Sequence, residues 1–329
     1  MLRNGNKFVW LLDDEWHEHH LERKLYQEYG IEVKVTRSGA LAEDLPLYAP
    51  FADGVVAQVG FPCTAELIEK LDSCKVISIP GVGFNHVDVE AASKKGIAVS
   101  TVPDYCAEEV SDHTLALILA VTRRLSAYNR KVRNGKWDPL DTQPIHRFSS
   151  RTVGLLGFGR IARMVAEKLK PFGVRILAHD EYVPEETMRG LGVVPVSLDS
   201  LLEQSNILSL HVPLTPETRN SINFQRLSQL PKGAFVINTC RGGVLNEEDL
   251  RQLIIDGHIA GAGLDVLETE PPAEDYPLLT MEEVLITPHA SYFSEESIHE
   301  LRTRTTKAAI DGVLGNELPY ALNLKKIKI

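Results

Sequence analysis

Short apolar runs typical of β-strands alternate with amphipathic helical patterns along most of this 329-residue chain. Such alternation indicates βαβ units, because two parallel strands can be joined only through a crossover connection, usually a helix. The strands come in two series, one that ends at Ser100 and a second that begins after Arg151. The sequence therefore predicts an α/β fold with two modules, each a parallel sheet flanked by helices.

The hydrophobic pattern also predicts where the individual elements lie. The predicted strands are Phe8–Leu12, Glu32–Val35, Gly54–Val59, Val76–Ile79, Ala98–Ser100, Thr152–Leu156, Arg175–His179, Asn206–Val212, Ala234–Asn238, Gly261–Val266 and Val284–Thr287. The predicted helices include His17–Tyr29, Thr64–Leu71, Ala107–Arg124 and Ser294–Leu314. A polar stretch with two prolines, Asn134–Ser150, predicts a loop, and a polar tail follows the last helix.

Composition and charge limit the classes of function. The chain is 43% hydrophobic and 24% charged, without an apolar run of membrane-spanning length. Its 35 basic and 45 acidic residues give a net charge of −10 without a basic cluster, which argues against a nucleic-acid partner. The residues before Phe8 lack a signal-peptide pattern, which favours the cytoplasm. Because a nucleic-acid surface is disfavoured, we expect a small-molecule partner. Four cysteines without metal-ligand spacing are expected to be reduced thiols, and we expect no metal.

A glycine-rich turn in the second series has the pattern of a dinucleotide-binding loop. The strand Thr152–Leu156 leads into Gly157-Phe158-Gly159-Arg160-Ile161-Ala162, which opens a helical pattern. In G-x-G-x-x-A the first glycine allows a tight turn and the second lets the backbone approach a pyrophosphate. The alanine lets the helix pack closely on the strand. The loop therefore predicts a Rossmann-like module.

The next strand of this module ends at an acidic residue. Asp180 lies 21 residues after Gly159, where a carboxylate binds the adenosine ribose hydroxyls. Asp180 and Glu181 would repel a 2′-phosphate, so the sequence favours NAD over NADP.

Three polar residues follow successive strands of the same module. They are Arg241, Glu270 and His289. Reduction of a 2-oxo acid needs a cation for the carboxylate and a proton donor for the carbonyl oxygen, and an acid beside the donor keeps it protonated. Each residue alone could serve as an ordinary surface or loop residue. Ligands bind at the carboxyl ends of strands in open α/β sheets, so the three together predict a catalytic site.

The ordered motifs of residues 50 to 320 resemble those of the D-isomer-specific 2-hydroxyacid dehydrogenases. They are Gly81–Asp88, Gly96–Val99, the glycine-rich turn, Asn238–Gly243, Gly263–Val266 and Pro288-His289. The resemblance implies two domains of the Rossmann-like or flavodoxin-like kind, with the nucleotide domain (residues 104–290) inserted into a discontinuous substrate domain (residues 1–103 and 291–329). It also implies a homodimer formed through the nucleotide domain.

The resemblance further implies roles for individual residues. Arg241, Glu270 and His289 would be catalytic, with His289 as the acid and base that Glu270 keeps protonated. Arg241 and the backbone of Val82 and Gly83 would hold the substrate carboxylate. The remaining implied substrate contacts are Tyr105 and Tyr292. The implied cofactor contacts are Gly157, Phe158, Gly159, Arg160, Ile161, Asp180, Val212, Pro213, Thr218, Thr239, Cys240, Asp265 and Val110.

The expected activity is NAD-dependent hydride transfer at C2 of a small 2-hydroxy or 2-oxo acid. The stretch Glu108–Asp112 and the aromatic Tyr292 also resemble the C-terminal-binding protein corepressors, so an NAD-gated binding scaffold is an alternative. Formate dehydrogenases pair the histidine with glutamine, and Glu270 argues against them. Phosphoglycerate and phosphite dehydrogenases keep the same three residues and stay open as alternatives.

Overall fold

The computed structural model describes residues 6–324. The start of the chain, where no signal peptide is expected, and the end of the polar tail lie outside the described residues. The chain forms two compact units. The first unit contains the residues up to Tyr105 and those from Ser294 onward, and the second unit runs from Cys106 to Phe293.

These unit boundaries differ slightly from the predicted boundaries after residues 103 and 290. Asp104 belongs to the first unit because its carboxylate accepts a hydrogen bond from Arg304 at 2.6 Å. Ser291 belongs to the second unit because its N–H group donates to Asp265 at 2.9 Å. The predicted boundaries came from the resemblance to the family, which does not specify local polar contacts of this kind.

The structure contains twelve strands and twelve α-helices within residues 6–324. The strands are β1 (Lys7–Leu12), β2 (Ile31–Thr36), β3 (Gly54–Ala57), β4 (Val76–Ser78), β5 (Ala98–Ser100), β6 (Thr152–Leu156), β7 (Arg175–His179), β8 (Val194–Pro195), β9 (Ile207–Leu210), β10 (Ala234–Asn238), β11 (Ile259–Leu264) and β12 (Val284–Ile286). The helices are α1 (His20–Glu28), α2 (Leu41–Tyr48), α3 (Ala65–Glu69), α4 (Val89–Lys94), α5 (Ala107–Thr122), α6 (Leu125–Arg133), α7 (Arg160–Leu169), α8 (Glu185–Gly190), α9 (Leu198–Gln204), α10 (Phe224–Leu227), α11 (Glu247–Ile255) and α12 (Glu295–Leu314).

Both sheets are parallel, as predicted. The first unit has five strands in the order β2-β1-β3-β4-β5, which is the flavodoxin-like order. The second unit has seven strands in the order β12-β11-β10-β9-β6-β7-β8, which is the Rossmann order with one strand added at the β11 edge. The predicted α/β class with Rossmann-like and flavodoxin-like modules is therefore confirmed.

The central strands are apolar because helices cover both faces of a parallel sheet. All five residues of β10 are buried, and β6 and β9 are buried almost throughout. This explains why continuous apolar runs, rather than alternating patterns, identified the strands. The buried strands place their carboxyl ends along one edge of each sheet, and the loops at that edge carry the polar residues discussed below.

Several helices were missing from the sequence analysis. The predicted helix Ala107–Arg124 ends at Thr122, and α6 follows it directly, because Arg124 adopts a left-handed conformation with φ of 56°. The Arg124 guanidinium donates to the carbonyl of Ala260 at 2.9 Å and stabilises this break. The helix α2 contains Pro46, which disguises its pattern.

No helix within residues 6–324 combines the length and the apolar character that a membrane crossing requires. The expected cytoplasmic location stays a prediction. The four cysteines are free thiols, as the sequence analysis predicted.

Candidate active site

The glycine-rich turn joins β6 to α7 in the second unit. Gly157 has a φ of 89°, and a Cβ there would lie 2.6 Å from the carbonyl oxygen of His211, so only glycine fits this position. A Cβ on Gly159, by contrast, would meet no protein atom within 4 Å. The backbone is therefore open where the first turn of α7 presents its N–H groups, an arrangement that fits a dinucleotide pyrophosphate. Arg160 and Ile161 are the first two residues of that helix.

Asp180 follows β7 and is fixed by backbone N–H groups. Its Oδ2 accepts from Phe158 at 2.7 Å, and its Oδ1 accepts from Tyr182 at 2.8 Å and Val183 at 3.1 Å. The sequence did not indicate these contacts. Because the Phe158 N–H donates to Asp180, this N–H group is already engaged within the protein. A carboxylate offers about four acceptor sites, so Asp180 retains capacity for a ribose hydroxyl.

We expect the charge of Asp180 to set cofactor preference. NADH should bind about tenfold more tightly than NADPH or better, because a 2′-phosphate would lie beside this carboxylate. In Asp180→Asn the affinity difference between NADH and NADPH should become smaller. The amide keeps an oxygen that accepts from the Phe158 N–H but lacks the negative charge. Fluorescence titration with both cofactors measures this, and equal wild-type affinities would contradict it.

Other predicted cofactor contacts lie at or near the carboxyl edge of the same sheet. Val212 and Pro213 follow β9, and the Thr218 hydroxyl donates to the Pro213 carbonyl at 2.6 Å. The hydroxyls of Thr239 and Thr114 are 2.8 Å apart, which ties the end of β10 to α5. Val110 lies in α5 and is 6% exposed. Their roles as cofactor contacts stay predictions.

Arg241 lies in a tight turn after β10. The buried Asn238 side chain accepts from the Cys240 N–H at 3.1 Å and donates to the Arg241 carbonyl at 3.0 Å. The Arg241 guanidinium donates to the Cys240 carbonyl at 2.6 Å. A Cβ on Gly242 would lie 1.9 Å from the carbonyl carbon of Leu267, so this turn packs directly on the segment that follows β11.

Glu270 and His289 form a hydrogen-bonded pair. Glu270 Oε2 lies 2.6 Å from His289 Nδ1, while Glu270 Oε1 accepts from the Leu267 N–H at 2.8 Å. Burial raises the pKa of Glu270, but the hydrogen bonds from His289 and Leu267 outweigh burial and hold it below its usual range. The positive charge of Arg241 lowers this pKa further. Glu270 is therefore ionised at neutral pH, and Arg241 is close enough to act on it electrostatically.

His289 lies in a strained turn that Asp265 stabilises. Its φ is 52°, a left-handed conformation uncommon for a residue with a side chain. Asp265 Oδ1 accepts from the Thr287 hydroxyl at 2.6 Å and the Ala290 N–H at 2.9 Å, and Oδ2 accepts from the Ser291 N–H at 2.9 Å. Burial raises the pKa of Asp265, but these hydrogen bonds outweigh it and keep the pKa low. Asp265, predicted as a cofactor contact, thus also fixes the turn that carries His289.

Two aromatic side chains, those of Tyr292 and His113, contact the turn that carries His289. The ring of Tyr292, a predicted substrate contact, lies edge-on to His289 with centroids 6.4 Å apart. His113 on α5 has its Nε2 3.0 Å from the Thr287 hydroxyl, a contact that sequence reasoning missed because the two residues lie 174 positions apart. Within residues 6–324 no group of three or more His, Cys, Asp or Glu side chains could hold a metal ion.

The remaining predicted substrate contacts, Val82, Gly83 and Tyr105, belong to the first unit. Val82 and Gly83 follow β4 at the carboxyl edge of its sheet. The neighbouring Gly81 N–H donates to the Ile79 carbonyl at 2.9 Å, so it is used within the loop. The substrate roles of these residues stay predictions.

Comparison with known proteins identifies the family. Residues 115–291 match the profile of the D-isomer specific 2-hydroxyacid dehydrogenase, NAD binding domain. The chain is 37% identical over 87% of its length to the D-3-phosphoglycerate dehydrogenase of Methanocaldococcus jannaschii, of which it covers 54%. It is 36% identical over 84% of its length to the glyoxylate reductase of Korarchaeum cryptofilum, of which it covers 84%. The chain thus spans about half the length of the phosphoglycerate dehydrogenase.

A solved structure supports the same assignment. The D-lactate dehydrogenase from Aquifex aeolicus, complexed with NAD and lactic acid, superposes with a TM-score of 0.82 at 31% identity and covers 97% of both chains. The chain therefore belongs to the D-isomer-specific 2-hydroxyacid dehydrogenase family, and it contains the family's NAD-binding domain. The family and the cofactor that the sequence motifs indicated are confirmed.

Proposed function

We propose that this protein reduces a small 2-oxo acid to the corresponding D-2-hydroxy acid with NADH and catalyses the reverse oxidation with NAD. The observation that carries this proposal is the 2.6 Å contact between Glu270 and His289, combined with Arg241 on the neighbouring strand end. A cation for the carboxylate and a charged proton donor are the two groups that this reaction requires. The nicotinamide of NAD supplies or accepts the hydride.

Arg241 binds the substrate carboxylate in this proposal. A guanidinium presents two parallel N–H donors that match the two oxygens of a carboxylate. The side chain of Asn238 fixes the turn, and the contact of Arg241 with the Cys240 carbonyl limits the freedom of the guanidinium. Less conformational entropy is therefore lost when the substrate binds.

His289 moves the proton. Its Nδ1 is held by Glu270, so Nε2 is the nitrogen that donates to the carbonyl oxygen during reduction and accepts the hydroxyl proton during oxidation. The negative charge of Glu270 stabilises the imidazolium and favours the protonated form that reduction needs. The hydrogen bonds of Asp265 keep the histidine turn in place while the charge on the ring changes.

We propose a substrate without a second anionic group. The loop that contains Val82 lies at a sheet edge where β1 is followed by the exposed acids Asp14 and Glu15. Glu15 is joined to Gln58, after β3, by a hydrogen bond. The one basic residue directly after β2, Arg37, already donates to two backbone carbonyls within this unit. Glyoxylate or hydroxypyruvate would suit this edge better than 3-phosphohydroxypyruvate.

A substrate panel tests the proposal. NADH oxidation would be followed with glyoxylate, pyruvate, hydroxypyruvate, 2-oxoisocaproate, phenylpyruvate and 3-phosphohydroxypyruvate. We expect turnover with at least one unphosphorylated acid. A clear preference for 3-phosphohydroxypyruvate would favour the phosphoglycerate dehydrogenase alternative. If the protein binds NADH tightly but neither reduces any of these acids nor oxidises phosphite with NAD, the result would favour the binding-scaffold alternative.

The Glu270→Gln variant tests the proton-transfer step. The hydrogen bonds from His289 and Leu267 hold the pKa of Glu270 below its usual range, so its carboxylate is ionised across the neutral and alkaline parts of the profile. Glutamine can keep the hydrogen bond but lacks the charge that stabilises the imidazolium. The alkaline limb of kcat/KM should therefore move to lower pH, and the movement should be modest because solvent screens this partly exposed pair. An unmoved limb would show that Glu270 does not keep His289 protonated.

We also propose that two copies of the chain associate through the second unit. Apolar side chains on α6 and the loop after it are unusually exposed: Leu125 at 56%, Val132 at 48%, Trp137 at 87% and Leu140 at 87%. Such clustered exposure is typical of an interaction surface. Light scattering should give twice the chain mass of 36.5 kDa. Replacing Trp137 and Leu140 with serine should yield the single-chain mass, whereas a monomeric wild type would contradict the proposal.

A further inference from the structure

Glu247 is a buried acid that the mechanism above does not use. It is the first residue of α11 and is 7% exposed. Its Oε1 accepts from the Glu268 N–H at 2.7 Å, and its Oε2 accepts from the Tyr276 hydroxyl. Burial raises the pKa of Glu247, and these two hydrogen bonds only partly offset that effect. A buried carboxylate with neutral partners is costly, so its position calls for an explanation.

The two partners of Glu247 lie on either side of Glu270 in the sequence. Glu268 precedes Glu270 by two residues, and Tyr276 follows it by six. The Glu247 carboxylate therefore accepts hydrogen bonds from residues on both sides of Glu270 in the same segment. Within that segment Glu270 also accepts from the Leu267 N–H, so its carboxylate is oriented by the same stretch of backbone that Glu247 holds.

Glu247 also joins this segment to the turn that carries Arg241. Only the short stretch Gly242–Asn246 separates Arg241 from Glu247. At one end of that stretch Gly242 packs against Leu267, and at the other end Glu247 binds the Glu268 N–H. Adjacent residues of the Glu270 segment are thus held by two points of the Arg241 turn.

We propose that Glu247 is a positioning residue for the reaction and that, together with Tyr276, it holds Glu270 at hydrogen-bonding distance from His289. This inference rests on the function proposed above. Losing the Glu247 carboxylate would leave the Glu268 N–H and the Tyr276 hydroxyl without this acceptor. Glu270 would then sample positions away from His289, although no residue that contacts substrate or cofactor had changed.

Three variants and a matched control test the inference. Glu247→Ala should lower kcat for the best 2-oxo acid about 10- to 100-fold, since small misplacements of catalytic groups are costly. Glu247→Gln should recover most of kcat, because its oxygen can accept from Glu268 and its amide can donate to the Tyr276 hydroxyl. Tyr276→Phe, which keeps the Glu268 contact, should lie between the two. Glu248→Gln is the control, because Glu248 is exposed and pairs with Arg251 on the same helix.

The measurements separate positioning from a structural role. We expect the Kd of NADH to stay within about twofold in all variants, while the alkaline limb of the reduction profile moves to lower pH in Glu247→Ala, as in Glu270→Gln. A Glu247→Ala variant that loses thermal stability but keeps kcat and the pH profile would overturn the inference. If Glu247→Ala does not fold, an unchanged kcat and pH profile in Tyr276→Phe would overturn it equally. Absence of turnover in the wild type would instead contradict the proposed function.

Discussion

Replacing Arg241 with alanine should lower kcat/KM for the 2-oxo acid on the order of a thousandfold, with little change in NADH affinity. Hydrogen bonds between charged groups contribute about 1.5–3 kcal/mol each, and a guanidinium makes two with a carboxylate. Their loss corresponds to several factors of ten in rate. Steady-state kinetics with NADH and the best acid from the panel measure this effect. Arg251→Ala is a suitable control, because Arg251 is a basic residue on α11 paired with Glu248.

The Arg241→Lys variant tests whether the carboxylate is bound through two N–H groups. An ammonium keeps the charge but cannot reproduce the fork of parallel donors. We therefore expect only partial recovery relative to alanine, mainly through a lower KM. Near-wild-type kcat/KM in Arg241→Lys would mean that charge alone suffices and that the two-point contact is wrong.

Replacing His289 with glutamine should lower kcat by a factor of about 10² to 10⁴, the usual contribution of a general acid or base. Glutamine can accept or donate hydrogen bonds but does not exchange a proton in this pH range. The pH dependence assigned to His289 should disappear from the residual activity. Pre-steady-state measurement of NADH oxidation would establish that hydride transfer, rather than product release, has slowed.

The control for this variant is His299→Gln, since His299 is exposed on α12 in the first unit. It should leave kcat and the pH profile unchanged. If His289→Gln retained most of the activity together with its alkaline limb, another group would have to supply the proton. Tyr292, whose ring lies beside His289, would then be the first candidate to replace.

The parts of the site that follow from local sequence were predictable. The spacing of Gly157 and Gly159 after an apolar strand predicted the tight turn between β6 and α7, since the turn geometry depends on a few adjacent residues. Arg241, Glu270 and His289 were predicted to lie near one another because each follows a strand, and parallel strands place their carboxyl ends at one edge. In the sheet β10, β11 and β12 are neighbours, so the three strand ends lie side by side, while the catalytic roles of the three residues stay predictions.

The contacts that orient those residues were not predictable in the same way. Asp265 binds the histidine turn across more than twenty positions, and His113 reaches Thr287 across 174. Glu247 binds the Glu268 N–H 21 positions away. Such hydrogen bonds depend on loop conformations and on side chains that bring distant segments together, neither of which the hydrophobic period specifies. Several of the helices that the sequence did not predict are short. Packing, rather than their own hydrophobic pattern, stabilises such helices, so the pattern did not indicate them.

The close packing of Gly242 on the Leu267 backbone has a consequence for protein engineering. Because the Arg241 turn packs directly on Leu267, this turn and the segment that carries Glu270 form one exchangeable structural unit rather than two. Transplanting only residues 238–247 into a relative would separate this turn from the Leu267 and Glu268 backbone that it contacts here. Exchange of 238–247 together with 265–276 should preserve turnover where either graft alone loses it. Directed evolution of substrate range would accordingly select paired changes in these stretches.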